Sequence, residues 1–230
     1  VLTYLIAFRL MGGFGALIAL VGYAFAPLSI QLAHFFVVDS FLTFFTTLAS
    51  YLAIRIAFFG RLAGGECKRQ PKQSELILLA LAGGAAVGFA MSCKVTGVLA
   101  VGAVLTALAY RITVGEYLST RAKFAQLFNL WWFTLVAMAL VFRVFQPYAF
   151  EGPSFFDVGL NPKWLANLTS LAASSKGSLG FPPGVQWMNR PLWFGLVNFV
   201  VWGIGPVLAL VGMLGLVDLA REGARERRLD

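Results

Sequence analysis

Long apolar runs separated by short polar stretches are the feature that most constrains how this chain can fold. Each run approaches the length of about 20 residues that an α-helix needs to cross a bilayer. Glycine, proline and charged residues lie between the runs, as is typical of turns outside the hydrocarbon. The pattern predicts about six complete transmembrane helices, at Phe14–Phe36, Phe41–Phe59, Leu76–Ser92, Val95–Tyr110, Leu127–Phe145 and Leu196–Leu216. Pro27 is expected to kink the first of them.

The composition supports a surface that faces lipid. Hydrophobic residues make up 59% of the chain and charged residues 12%, whereas soluble domains have about 45–50% and about 25%. We therefore expect an all-α polytopic transmembrane bundle, with residues 1–230 as a single domain. The apolar stretch Val1–Met11 predicts a further, partial span. Because the chain starts inside this stretch without a charged n-region, we expect the natural protein to extend upstream.

The positive charges are unevenly distributed. One set of segments carries 13 of the 18 Lys and Arg residues: Arg9, Arg55, the loops at 60–75 and 111–126, and the tail at 218–230. Cytoplasmic loops carry an excess of Lys and Arg, so we expect these segments in the cytoplasm and Asp39, Lys94 and the loop at 146–194 outside. The net charge of +8 is then a topology signal, and no nucleic-acid partner is predicted.

The loop at 146–194 is too polar to span the membrane and is rich in proline and aromatic residues. We expect it to form a structured cap. Asn161 followed by Pro162 predicts a short helix over Pro162–Ala173, because Asn favours the N-cap and Pro the first helical position. Gln186 and Trp187 combine an amide with an aromatic ring, which is common both in sugar-binding surfaces and in interfacial belts. Both interpretations stay open.

Asp39 is the strongest candidate for a functional side chain. It lies between two apolar runs, where a carboxylate is costly and by default indicates function. The alternative is that Asp39 caps the helix that follows and complements its dipole. Lys94 and Arg143 lie near the same expected side. Each is either a ligand for an anionic head group or an interface anchor.

Metal and nucleotide chemistry find no support in the residue pattern. His34 is the single histidine, and Cys67 and Cys93 have no metal-ligand spacing. The glycines Gly83, Gly84 and Gly88 lie inside an apolar run, which favours close helix packing in lipid over phosphate binding. We expect no cofactor, with metal dependence left open.

Two stretches resemble glycosyltransferase family 39, which contains the protein O-mannosyltransferases and the aminoarabinose transferases acting on lipid A. The first is Pro27–Phe45, in which a Pro-containing segment ends at His34 and Asp39 opens the next span. The second is Gly88–Gly97, in which Lys94 follows a small-residue helix. The stretches Gln146–Phe150 and Phe181–Trp187 resemble the outer loop of a bacterial branch.

The resemblance implies the GT-C membrane fold and transfer of a sugar from a polyprenyl-phosphate donor, with inversion, on the extracytoplasmic face. Asp39 would match the second acidic position of the active cavity, since the family's principal catalytic carboxylate lies in an outer loop upstream of this sequence. Lys94 and Arg143 would hold the carrier phosphate, and His34, Gln186 and Trp187 would contact substrate. The expected partners are membrane lipid and the lipid-linked donor, in a bacterial inner membrane.

Two other functions stay open. A transporter would also place rare charges in the bilayer, and it predicts internal repeats and broken helices near the midplane. A non-catalytic membrane subunit of a larger complex would explain why the family's first outer loop is not in this sequence. An acidic residue in a long first outer loop upstream would favour the enzyme.

Overall fold

The computed structural model describes residues 1–35, 37–60, 70–114, 119–152, 154–176, 185, 188 and 190–226. Within these ranges the chain is helical, and its β structure is one isolated antiparallel bridge between Phe150 and Leu160. Five helices are long and apolar enough to cross a membrane, or six if one sharply bent pair is a single span. This confirms the predicted all-α membrane bundle.

Nine α-helices follow one another along the chain, counted over the residues that the structure describes. A 3₁₀ turn at Val95–Ala100 precedes α5, another at Pro147–Ala149 follows α6, and a π-helical turn at Phe199–Gly203 follows α8. The helices are α1 (Leu2–Phe25), α2 (Pro27–His34), α3 (Val38–Ala57), α4 (Gln73–Cys93), α5 (Val101–Val114), α6 (Thr120–Phe145), α7 (Pro162–Ser175), α8 (Leu192–Asn198) and α9 (Pro206–Glu226).

Helix α4 lies at the centre of a bundle with α3, α5 and α6. The bundle core contains the fully buried side chains of Ile56, Leu108, Leu130, Val87, Val104 and Thr134. Glycine brings α4 and α6 into backbone contact: a Cβ on Gly84 would overlap the carbonyl oxygen of Thr134, and one on Gly88 would lie 2.7 Å from that of Met138. The predicted packing role of these glycines is confirmed, since only residues without a Cβ permit this approach.

The N-terminal region divides differently from the predicted spans. Residues 2–25 form one candidate span, α1, interrupted at Gly12, whose φ of 76° is non-helical. The break predicted near Gly12 is therefore present, but it does not separate a partial span from a complete one. The predicted span Phe14–Phe36 is wrong as a single helix. The kink predicted at Pro27 is a complete break, because Pro27 starts the separate helix α2 and Ala26 before it is extended.

The predicted last span, Leu196–Leu216, is also not a single helix. The segments Trp193–Gly203 and Pro206–Val217 are bent by 115° at their junction. Gly205 has a φ of 82°, and Pro206 cannot donate a backbone hydrogen bond to the preceding turn. These two residues, which an apolar run does not distinguish, break the helix.

The bundle has two chemically different ends. At the first, which we call the Lys94 end, the rings of Phe45, Phe89 and Phe145 link α3, α4 and α6 through centroid distances of 4.8 and 4.6 Å. At the second, the Arg111 end, Arg111 donates to Gln70 Oε1. This contact brings the flanks of the loops at 60–75 and 111–126 together. The membrane side that each end faces stays a prediction.

The first part of the predicted cap is structured. Helix α7 begins at Pro162, and the side chain of Asn161 accepts a hydrogen bond from the backbone N–H of Lys163 at 2.9 Å. Trp164 is buried against Phe142 of α6, with ring centroids 6.2 Å apart. The predicted short helix and its cap are therefore confirmed. Residues 177–184, 186, 187 and 189 lie outside the described residues.

Candidate functional site at the Lys94 end

Asp39 is the second residue of α3. The N-cap is Val37, and no side chain caps this helix, so the interpretation of Asp39 as the N-cap is wrong. Its carboxylate lies in the first turn, where a negative charge still complements the helix dipole. The hydroxyl of Ser40 donates to the carbonyl of Leu32 at 2.8 Å, which ties the start of α3 to α2. This contact fixes the backbone that carries Asp39.

Lys94 lies in the turn between α4 and the 3₁₀ segment. Its backbone is extended, with φ −155° and ψ 131°, so the chain reverses direction at this residue. Gly97 permits the reversal, because a Cβ there would lie 2.5 Å from the backbone of Ala90. The backbone N–H of Gly97 also donates to the carbonyl of Lys94 at 2.7 Å. A small-residue contact thus places the lysine at the end of the bundle.

Asp39 and Lys94 form an ion pair. Lys94 Nζ lies 3.1 Å from Asp39 Oδ1, and the two side chains are 53% and 39% exposed. Ion pairs as exposed as this contribute about 0.2–1 kcal/mol to stability. The pair therefore contributes little to holding the two span ends together. Both groups stay accessible to an incoming anion or hydroxyl.

Arg143 lies in the last turn of α6 at the same end, but it is only 9% exposed. Its Nε and Nη2 donate to the carbonyl oxygens of Phe155 and Ser154 at 3.2 and 2.5 Å. Its Cζ lies 4.6 Å from the centroid of the Phe150 ring, which is the geometry of a cation–π contact. The described contacts of Arg143 therefore hold the loop that follows α6.

His34 ends α2 and is exposed to solvent or lipid. It contributes to a cavity of about 490 Å³ that is otherwise lined by α1 and α2, at Tyr23, Ala24, Ser29, Ile30 and Ala33. A second cavity lies in the loop after α6 and is lined by Glu151, Gly152, Phe156, Asp157, Val158 and Gly159. Asp39, Lys94 and Arg143 line neither of these two.

The structure thus brings two of the predicted site residues into contact and gives a third, Arg143, other partners. Gln186 and Trp187 lie outside the described residues. Within the described ranges, no group of three His, Cys, Asp or Glu side chains could hold a metal ion.

The sequence did not predict the turn whose carbonyl oxygens accept hydrogen bonds from Arg143. The residue types at Ser154 and Asp157 could have indicated this turn, because Ser and Asp side chains often bond nearby backbone groups. Here Asp157 Oδ2 accepts from the Ser154 N–H at 3.1 Å.

Comparison with known proteins adds one finding. A family model described as dolichyl-phosphate-mannose-protein mannosyltransferase matches residues 1–150. The match spans α1 to α6 and therefore includes His34, Asp39, Lys94 and Arg143. Neither the curated proteins nor the solved structures contain a match. Because the model covers more than half of the chain, the protein belongs to the dolichyl-phosphate-mannose-protein mannosyltransferase family of membrane glycosyltransferases, as the resemblance predicted.

Proposed function

We propose that this chain forms the part of a membrane glycosyltransferase that binds a polyprenyl-phosphate-linked sugar beside Asp39 and Lys94. The ion pair of 3.1 Å between these residues is the observation that carries the proposal. It joins the start of α3 to the end of α4, within the matched region. A cation and a carboxylate at one accessible position suit a donor that combines a phosphate with hydroxyl groups.

In the proposed mechanism, the donor phosphate displaces Asp39 from Lys94. The ammonium group then balances the charge that develops on the phosphate as the bond between it and the sugar C1 breaks. The acceptor hydroxyl oxygen forms the new bond to C1 from the opposite face. Freed from the lysine, Asp39 borders the sugar, where it orients the donor and takes the hydroxyl proton. The products are the glycosylated acceptor, the carrier phosphate and a protonated carboxyl group. This sequence inverts the configuration at C1.

The other predicted residues have subordinate parts in this proposal. Arg143 contributes positive charge near the phosphate while it holds the following loop. His34 assists from the cavity between α1 and α2, where the lipid carrier would approach from the bilayer. Gln186 and Trp187 are proposed to contact the sugar. No cofactor is required for the transfer itself.

Transfer from a lipid-linked mannose donor, measured in proteoliposomes that contain the protein carrying this sequence, tests the proposal. Lys94→Ala should raise the KM for the donor at least about tenfold, which corresponds to about 1.4 kcal/mol, and Lys94→Arg should recover part of the loss. Lys163→Ala is the matched control, because Lys163 is an exposed lysine on α7. Unchanged kinetics for Lys94→Ala would remove the lysine from the site.

We further propose that the Lys94 end faces the extracytoplasmic side of a bacterial inner membrane. The support is the concentration of 13 of 18 Lys and Arg residues in the opposite segments. Single cysteines at Lys68 and Lys176 can be labelled in intact cells with a reagent that does not cross membranes. Label at position 176 alone is the expected result, whereas equal labelling of both positions would overturn the orientation.

A further inference from the structure

The loop that follows α6 is held at the level of the helix end and does not project away from it. We call residues 147–152 and 154–160 the Arg143 loop. Arg143 lies two residues before the end of α6 and binds the carbonyl oxygens of Ser154 and Phe155. Since α6 is a candidate membrane span, residues 154 and 155 lie at the depth where that span leaves the hydrocarbon.

The backbone of the Arg143 loop is extensively hydrogen-bonded within the protein. The N–H groups of Ser154, Phe156 and Asp157 donate to Asp157 Oδ2, Ser154 Oγ and the Ser154 carbonyl at 3.1, 3.3 and 3.0 Å. At the base of the loop, the N–H of Glu151 donates to the carbonyl of Gly159 at 2.8 Å. Backbone groups paired in this way can enter the edge of the hydrocarbon without leaving a hydrogen bond unsatisfied.

The loop nevertheless exposes large apolar side chains. Phe156 is 84% exposed and Phe155 is 47% exposed, and the two rings meet edge to face with centroids 5.7 Å apart. Exposed apolar side chains also cover the last turns of α6, at Leu140, Val144 and Phe145. The aromatic pair and this end of α6 therefore both expose apolar side chains where the span leaves the hydrocarbon. Phenylalanine on the apolar side of an interfacial segment buries at the boundary between head groups and acyl chains.

We infer that the Arg143 loop is a membrane-interface anchor. Phe155 and Phe156 insert at the boundary between head groups and acyl chains, and Arg143 is the positioning residue that sets their depth. The partner is the phospholipid bilayer itself. Because the loop carries Glu151 and Asp157, apolar insertion drives binding and anionic lipid does not strengthen it. This inference does not depend on transferase activity.

Spin-label depth measurements in lipid nanodiscs test the inference. A nitroxide is attached to Phe156→Cys in protein in which Cys67 and Cys93 are replaced by serine. Collision with oxygen, which concentrates in the bilayer, is compared with collision with a polar nickel complex, which stays in water. The label at 156 should collide more with oxygen, and the preference should persist when phosphatidylglycerol is added to phosphatidylcholine.

A label at Glu151→Cys is the matched control, because a carboxylate in the same loop is expected to stay in water. Preference for nickel at both positions would contradict insertion of the loop, and preference for oxygen at both would contradict its proposed orientation.

Adding Arg143→Lys to Phe156→Cys keeps the positive charge but removes the pair of guanidinium hydrogen bonds to the Ser154 and Phe155 carbonyl oxygens. Loss of the oxygen preference, with helical content unchanged, is the expected result. If the preference survives, Arg143 does not set the depth.

Discussion

Helices α4 and α6 meet differently in the middle of the bundle and at the Lys94 end. In the middle they touch through backbone atoms, because Gly84 and Gly88 leave no side chain between the helices. At the Lys94 end each helix delivers a cation, Lys94 after α4 and Arg143 in the last turn of α6. The middle is thus built for stability, and the end combines structure with chemical accessibility.

The two cations at the Lys94 end differ in their burial and in the number of their partners. Arg143 is 9% exposed and is held by two carbonyl oxygens and an aromatic ring. Lys94 is 53% exposed and has one carboxylate partner, Asp39, in the described residues. A planar guanidinium is suited to several fixed partners, and an ammonium on a flexible stem to a ligand that enters and leaves. The described contacts of Arg143 are therefore structural, whereas Lys94 stays partly exposed beside its one carboxylate partner in the described residues.

The largest expected effect on stability is in the middle of the bundle. Gly84→Ala should lower the free energy of unfolding by about 3 kcal/mol or more, because the new methyl group overlaps the Thr134 backbone and cannot be relieved by a side-chain rotation. The fraction of protein that survives heating in detergent, measured by size-exclusion chromatography, reports the loss. Gly102→Ala is the control, since a Cβ there meets nothing within 4 Å. Equal stability of the two variants would contradict backbone contact between α4 and α6.

A smaller loss is expected at Arg143. Replacing it with glutamine removes the charge from the hydrogen bonds to Ser154 and Phe155. The amide can still donate, so the net loss should be about 1.5–3 kcal/mol, the contribution of one charge-assisted bond. Proteolysis of the 146–161 region should accelerate before the bundle itself unfolds. Lys163→Gln, which also removes one exposed positive charge, should leave the proteolysis rate unchanged. Faster cleavage in both variants would show that the loss of positive charge, and not the loss of the hydrogen bonds to Ser154 and Phe155, is responsible.

Much of the bundle could be predicted because lipid imposes a length and a composition on each span. The predicted spans at 41–59, 76–92, 95–110 and 127–145 correspond to candidate spans in the structure. The kink predicted at Pro27 is a complete break between two helices, and the break at Gly205 was not predicted, since hydropathy averages over the single residue that turns the chain. Broken helices also agree with the transporter alternative, so the family match and not helix regularity decides between the two.

The site was only partly predictable for a different reason. That Asp39 and Lys94 share one end follows from counting spans, because each span reverses the chain. Their distance of 3.1 Å depends on how α3 packs on α4, which a sequence pattern does not specify. The partners of Arg143 depend on the fold of an irregular loop. The expectation that Arg143 holds the carrier phosphate together with Lys94 therefore stays a prediction.

The cap of α7 should contribute less than Arg143. Asn161→Ala removes the acceptor for the Lys163 N–H, and loss of an N-cap costs about 0.5–2 kcal/mol. The loss should appear as faster hydrogen exchange in the first turn of α7, while exchange in α4 is unchanged. Asn161→Asp keeps the acceptor and should retain slow exchange. If Asn161→Asp behaves like Asn161→Ala, the cap does not stabilise this helix.

The smallest effect on stability is expected for the ion pair. This prediction distinguishes most clearly between the tightly packed middle of the bundle and the accessible Lys94 end. A double-mutant cycle with Lys94→Ala and Asp39→Ala should give a coupling of about 0.2–1 kcal/mol in unfolding, because both side chains are partly exposed. The same four proteins, assayed for transfer, should lose far more activity than stability, since the pair would face the donor phosphate. Lys163→Ala with Asp157→Ala is a control pair of opposite charges, with no ion pair between them in the described residues. A coupling in unfolding well above 1 kcal/mol, together with normal transfer, would make Asp39 and Lys94 structural residues like Arg143.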